Sequence, residues 1–250
     1  MTNSKNEGIS RRELLIGAGY AAAGIAAASA VGSVSLPGTA SAGKKATSVE
    51  GVEPWPYKKL DPDKIAEKAY HEWYGNFCSM AVAEAILGEL REKVGGPYKD
   101  FPVHSIRWGH GGAVGWGTLC GTLMGAGTVA ALVTGIETGE SVANDLMYWY
   151  SVNSLPKYKP QDPKMDAPVT SRADSPLCHV SVNKWMTKAG YEFFTPERKD
   201  RCARVAADIA RQTVVLLNQV QDLDYEPTHG NQMKTHDMTA QNNCLDCHSS

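Results

Sequence analysis

Apolar residues recur at helical spacing through most of the chain, and no stretch shows the strict alternation of a half-buried strand. After a polar, proline-bearing lead-in over 43–60, the pattern predicts a helix over 62–74 that stops at Gly75. A second follows over 77–94, with Ala81, Ala85, Leu87 and Leu90 among its apolar positions, and ends at Gly95-Gly96-Pro97. Glu84, Glu89 and Glu92 read as its solvated face. A glycine-rich loop covers 97–115. The next helix, 116–133, is apolar almost throughout and should be central. Further helices are expected over 140–152, 176–189 and 196–220, with a long proline-bearing loop over 154–173. The last thirty residues, 221–250, are polar and poor in branched aliphatics, so they cannot build a core of their own. The fold class is all-α: about six helices followed by a polar C-terminal tail.

Three glycines in the central helix, Gly117, Gly121 and Gly125, fall four residues apart on one face. Each costs about 1 kcal/mol relative to alanine inside a helix. Tight helix packing, or close approach of a backbone or cofactor, would supply the reason.

Residues 1–42 stand apart from this pattern. Ser10-Arg11-Arg12-Glu13-Leu14-Leu15 opens a twin-arginine export signal, an Ala/Gly-rich apolar stretch follows, and Ala40-Ser41-Ala42 is an A-x-A cleavage site. The stretch is too broken by glycine and serine to read as a lasting anchor. The expected location is the periplasm, with no stable membrane anchor after cleavage. Cleavage takes the net charge from −2 to −3. No basic face or aromatic–basic interleaving points to nucleic acid.

The chemistry lies in the cysteines and histidines. Cys244-Leu245-Asp246-Cys247-His248 is C-x-x-C-H, the attachment motif of a c-type haem. Its two thiols form thioethers with the haem, and His248 becomes the proximal iron ligand. The other four cysteines, Cys78, Cys120, Cys178 and Cys202, form no C-x-x-C pair. In an oxidising compartment their default is two disulfides, with a metal or Fe–S site as the competing reading. Cys78, after a candidate N-cap Asn76, and Cys178, after Ser175-Pro176, fall in first turns of predicted helices. Cys120 lies near the start of another. Helix N-termini favour thiolates, the form that ligates iron. Cys202 lies about two turns into its helix, beside Val205 and Ile209, and on its own reads as a small buried hydrophobe. A haem attached after export gives no reason to cross the membrane folded. The twin-arginine signal therefore hints at a second, cytoplasmically inserted centre.

Gly75-x-x-Cys78, Gly109-His110-Gly111-Gly112, Cys120-Gly121-Thr122-Leu123-Met124-Gly125-Ala126, Ser175-Pro176-Leu177-Cys178-His179 and Cys202 together resemble the redox-active C-GCAxxG-C-C family. With the C-terminal haem motif, the chain resembles the split-Soret cytochromes c of sulfate-reducing bacteria over residues 60–250. The resemblance implies an all-α homodimer with closely spaced haems, bis-histidine ligation with one histidine from the partner subunit, and an iron–sulfur centre on Cys78, Cys120, Cys178 and Cys202, expected as [2Fe–2S]. The sequence departs from the family pattern in two places. It has one C-x-x-C-H where two haems per subunit are the family's description, and His110 stands where cluster-only relatives carry an aromatic.

For the sixth haem ligand the candidates are His236, then His229, then His110, from this chain or its partner; His71, His104 and His179 read as structural. The resulting domain division is a signal over 1–42, a helical Fe–S domain over 43–220 and a haem-binding tail over 221–250. The function this points to is electron transfer between haem c and the iron–sulfur centre, with a redox partner protein. One alternative is a reductase acting on a small sulfur or nitrogen compound. The other is a disulfide-stapled module that carries one haem.

Overall fold

A computed structural model of the chain describes residues 53–166 and 169–227. The export signal and the haem motif lie outside the described residues. The described part is helical, as expected, with five α-helices: α1 (Pro62–Lys93), α2 (Gly121–Thr134), α3 (Ile136–Val152), α4 (Cys178–Ala189) and α5 (Pro196–Asp222). Two 3₁₀ segments, η1 (Gly96–Lys99) and η2 (Val103–Gly109), follow α1.

The single run α1 holds the two helices expected over 62–74 and 77–94. The Asp61 carboxylate caps its start, accepting from the backbone N–H of Asp63 (2.9 Å) and Lys64 (3.2 Å). At Phe77 the backbone turns non-helical (φ 58, ψ −168). Beyond it, Lys64 Nζ lies 2.8 Å from Glu89 Oε1 although the residues are 25 apart. In a straight helix that separation would be about 37 Å. The chain therefore doubles back at Phe77, and Cys78 opens the returning arm. Asn76 does not cap that arm; its amide donates to Glu72 Oε2.

The deepest element is α5 rather than the apolar helix α2. Every residue from Asp200 to Ala210 is buried, because α5 packs along both arms of α1 while α2 and α3 cover its other side. On α2 the residues facing α1 and α5 are buried, but Ala131 is exposed and Leu132 half-buried. The lead-in packs too: Trp55 stacks edge-on against Tyr98 (5.1 Å) and Phe101 (5.8 Å).

Two boundaries move. Helix α2 begins at Gly121, not at residue 116, because Gly117 takes φ +74 and residues 117–120 run extended against 176–179. Helix α3 starts four residues early, at Ile136. The expected loop 154–173 contains a two-residue ribbon, Ser154–Leu155 paired antiparallel with Ser171–Arg172. Buried groups also pin it. Arg204 donates to the carbonyls of Tyr158 (3.2 Å) and Met165 (2.9 Å), and Asp208 accepts from Lys157 N (2.8 Å). The Asp208 carboxyl is pushed up to about 7 by that burial, against the pull of the Lys157 and Tyr158 amides.

The reading of three glutamates as one solvated face fails at Glu89, whose side chain is 3% exposed. Lys64 and Lys68, from the outgoing arm of α1, donate to its two oxygens at 2.8 and 2.9 Å. Among the described residues no helix is long and apolar enough to cross a membrane.

Candidate metal centre

Four chain segments deliver the four core cysteines. Cys78 follows the reversal at Phe77, Cys120 is the N-cap of α2, Cys178 is the first residue of α4, and Cys202 lies in the second turn of α5. The Thr195 hydroxyl caps α5 by accepting from Arg198 N (3.4 Å).

Backbone contacts lock these starts together. Cys120 N donates to Pro176 O (2.9 Å), Cys178 N to Thr118 O (2.7 Å) and His179 N to Gly117 O (3.1 Å), so two cysteines sit on one short antiparallel crossing. The glycines explain how close the approach is. A Cβ at Gly121 would lie 2.3 Å from Gly109 O and 2.8 Å from Cys78 Cβ, and one at Gly125 would lie 2.2 Å from Ser79 O. Only a bare backbone lets α2 press against the Cys78–Ser79 turn. The glycine stripe thus reflects close backbone approach at Gly121 and Gly125, while Gly117 lies ahead of the helix with His179 against it.

All four thiols are free, and Cys78 and Cys178 each lie within electrostatic reach of the other three. Donors surround the sulfurs: Trp73 Nε1–H lies 3.4 Å from Cys78 Sγ, Thr122 Oγ1 3.2 Å from Cys120 Sγ, and Arg201 Nη1 3.8 Å from Cys202 Sγ. Burial, then the charges of Cys202 and Cys120, push the Cys78 thiol up to about 12, and Cys178 rises for the same reasons. Among the described residues no group of three or more His, Cys, Asp or Glu closes around a single metal ion. Four neighbouring thiolates, three of them buried, could not persist without a cation; bound metal removes that penalty.

Buried polar atoms left without partners point the same way. Arg201 is 2% exposed, and its Nε has no hydrogen-bond partner. Burial works against its charge, and the adjoining Cys202, Tyr150 and Cys120 outweigh that. The Tyr150 hydroxyl, 1% exposed overall, faces Cys120 and Ser181 without hydrogen-bonding geometry to either. A cation buried beside four thiols is the counter-charge that an anionic cluster on those thiols would take. On that test the residues fit the group.

Cys78, Cys178 and Cys202 also line a cavity of about 870 Å³, while Cys120 is buried and lies outside its wall. Trp73, Phe77 and Phe193 give the cavity apolar walls, and Lys184, Arg198 and Lys199 give it positive charge. His110 faces it with its ring 5.4 Å from Phe77. His179, which the sequence placed as structural, faces it too. Its Nδ1 lies 2.9 Å from Gly117 O, which fixes Nδ1 as the donor and leaves the Nε2 lone pair open. His71 is paired with Glu67 (2.8 Å), and His104 is exposed. His229, His236, Cys244, Cys247 and His248 lie outside the described residues. Sequence reasoning missed Arg201 and Tyr150. The available signal for Arg201 was a charge one position before Cys202 in a helix whose next nine residues are largely apolar.

Comparisons with known proteins agree with this geometry. A family model described as "Putative redox-active protein (C_GCAxxG_C_C)" matches residues 77–216, which contain all four core cysteines. Split-Soret cytochrome c of Desulfovibrio desulfuricans is 34% identical over 251 residues, covering 96% of this chain and 87% of that protein. The chain belongs to the C_GCAxxG_C_C family and, within it, to the split-Soret cytochromes c. A solved structure of the Desulfovibrio desulfuricans split-Soret cytochrome c, described as containing a novel iron centre, aligns with a TM-score of 0.67 at 33% identity, over 78% of this chain and 82% of that one. Family membership makes the chain a redox, electron-transfer protein.

Proposed function

We propose that this split-Soret cytochrome is an exported electron carrier that exchanges electrons between one covalently bound haem c and an iron–sulfur centre, [2Fe–2S] in type, on Cys78, Cys120, Cys178 and Cys202. The observation that carries the reading is the meeting of four free thiols from four separate segments beside a buried, carboxylate-free arginine. When bound, the cluster supplies a one-electron couple with little geometric change. The protein's own residues do the rest. Donors from Trp73, Thr122 and Arg201 stabilise charge on the sulfurs, and the crossing of 117–120 with 176–179 fixes Cys120 and Cys178.

The haem sits on Cys244 and Cys247, with His248 as its proximal ligand and His236, His229 or His110 as the sixth. The open Nε2 of His179 adds that residue to the candidates. The exposed aromatics Trp116, 82% exposed, and Phe193 and Phe194 cluster in segments that border the cavity, which supports a homodimer formed across that face. The leader with Arg11 and Arg12 supports export to the periplasm by the twin-arginine route.

The cavity beside Cys178 favours a second reading, a reductase acting on a small sulfur or nitrogen compound. The test of the main reading is electron paramagnetic resonance of anaerobically reduced protein. A non-haem signal that disappears in Cys178→Ser, while the haem absorbance remains, is the expected outcome. A reduced protein without any non-haem signal would overturn it, and a signal altered by added sulfite or nitrite would favour the reductase.

A further inference from the structure

Arg201 has no conventional role in this fold. It is fully buried, yet among the described residues it forms no ion pair with a carboxylate. The acids nearby on α5 are committed elsewhere: Asp200 pairs with Arg204 at 2.6 Å, and Asp208 accepts from Lys157 N at 2.8 Å. One arm of the guanidinium is held by Ser181, with Nη2 to Oγ at 2.6 Å. The other points at Cys202 Sγ, 3.8 Å from Nη1, and Nε is left without a partner. A full charge is not held out of water unless an opposite charge compensates it. Asp208 lies within electrostatic reach but neither pairs nor hydrogen-bonds with Arg201, and the anion the guanidinium points at is the Cys202 thiolate.

The charge balance works only with a metal centre present. Four thiolates, two sulfides and two ferric ions carry a net charge of about −2, and about −3 after one electron is added. A fixed cation at the sulfurs favours the more negative form. Arginine holds its charge at every working pH, and its planar fork keeps it in place once one arm is clamped.

We propose that Arg201 is the resident counter-cation of the centre on the four cysteines, held by Ser181 against Cys202, and that it raises the centre's reduction potential by stabilising the reduced state. The inference rests on the iron–sulfur reading above. One ferric ion of the centre becomes ferrous, and the electron comes from an external reductant. Arg201 contributes charge and takes no part in the transfer itself, so it is a positioning residue.

The test is an anaerobic redox titration of wild type, Arg201→Met, Arg201→Lys and Ser181→Ala, with non-haem iron and acid-labile sulfide measured on each sample. The non-haem centre is followed by electron paramagnetic resonance and the haem by its absorbance, as an internal reference. The expected result is a lower midpoint for the non-haem centre in Arg201→Met, partial recovery in Arg201→Lys, a smaller fall in Ser181→Ala and an unmoved haem midpoint. If Arg201→Met does not hold iron, Arg201→Lys and Ser181→Ala carry the comparison. Variants that hold iron and sulfide at wild-type levels with unchanged midpoints would overturn the role of Arg201 and leave the centre standing. Wild type without non-haem iron or sulfide would overturn the centre, and Arg201 with it.

Discussion

Glu89 shows how one residue's charge is set by the fold. Its carboxylate is held down to about 2, chiefly by the Lys64 hydrogen bond and then by Lys68, against the opposing effect of burial. An acid whose folded pKa lies below its unfolded value stabilises the protein above the unfolded value, and the gain is lost as pH falls through the folded one. The stabilisation from Glu89 is therefore complete above about pH 5 and disappears towards pH 2. Because Lys64 and Lys68 are 55% and 34% exposed, solvent screens part of it, and Glu89→Gln should cost about 2 kcal/mol at neutral pH. Urea midpoints measured from pH 3 to 7 should converge for wild type and variant at the acid end. A difference that stays constant with pH would contradict the assignment. The sequence did not show this because the lysines are more than twenty positions away, and the break it marks at Gly75 does not say that the second arm returns along the first. The cysteines were more legible: Ser175-Pro176 placed Cys178 and the preceding glycine run placed Cys120 at helix starts, while Cys78 follows the reversal at Phe77 without the expected Asn76 cap. Arg201 and Tyr150 were not, since a lone buried charge acquires meaning only from what it faces.

Helix existence followed the periodicity, and helix ends did not always. Helices α4 and α5 stop and start close to where Gly190, Thr195 and Pro196 indicate. The N-terminus of α2 differs from the expected one because Leu119 bridges to Leu177 ahead of α4 instead of opening a helical turn. Apolar periodicity alone cannot separate such a run from a helical turn. The glycines of α2 offer a paired test at this scale. Gly125→Ala would drive a Cβ to 2.2 Å from Ser79 O, so α1 and α2 must separate. It should lower stability by about 2–3 kcal/mol and reduce the non-haem iron content. Gly127→Ala meets nothing nearer than Ala143 Cβ at 3.6 Å and should instead stabilise by about 0.5–1 kcal/mol through helix propensity. Thermal melts and iron analysis of the two variants check this; equal effects would remove the close-approach explanation.

In the molecule as a whole, the core of the described residues runs from Leu60 to Leu217, with Tyr225 packed against it. The role proposed for the tail rests on five residues, Cys244 to His248, because a haem-attachment motif is local in sequence. The proposed centre on the helical body needs four segments brought together, so spacing alone favoured disulfides, ahead of a metal site and of free thiols. Family resemblance decided for iron, and the fold supplies the physical reasons: free thiols, glycine-permitted contact between helices and a buried cation without a carboxylate. The most direct measurement is total iron, acid-labile sulfide and covalent haem per chain in protein purified without oxygen. About two non-haem irons and two sulfides for each haem are expected. Iron equal to haem, with no sulfide, would contradict the central claim and leave a monohaem cytochrome whose four core cysteines hold no metal.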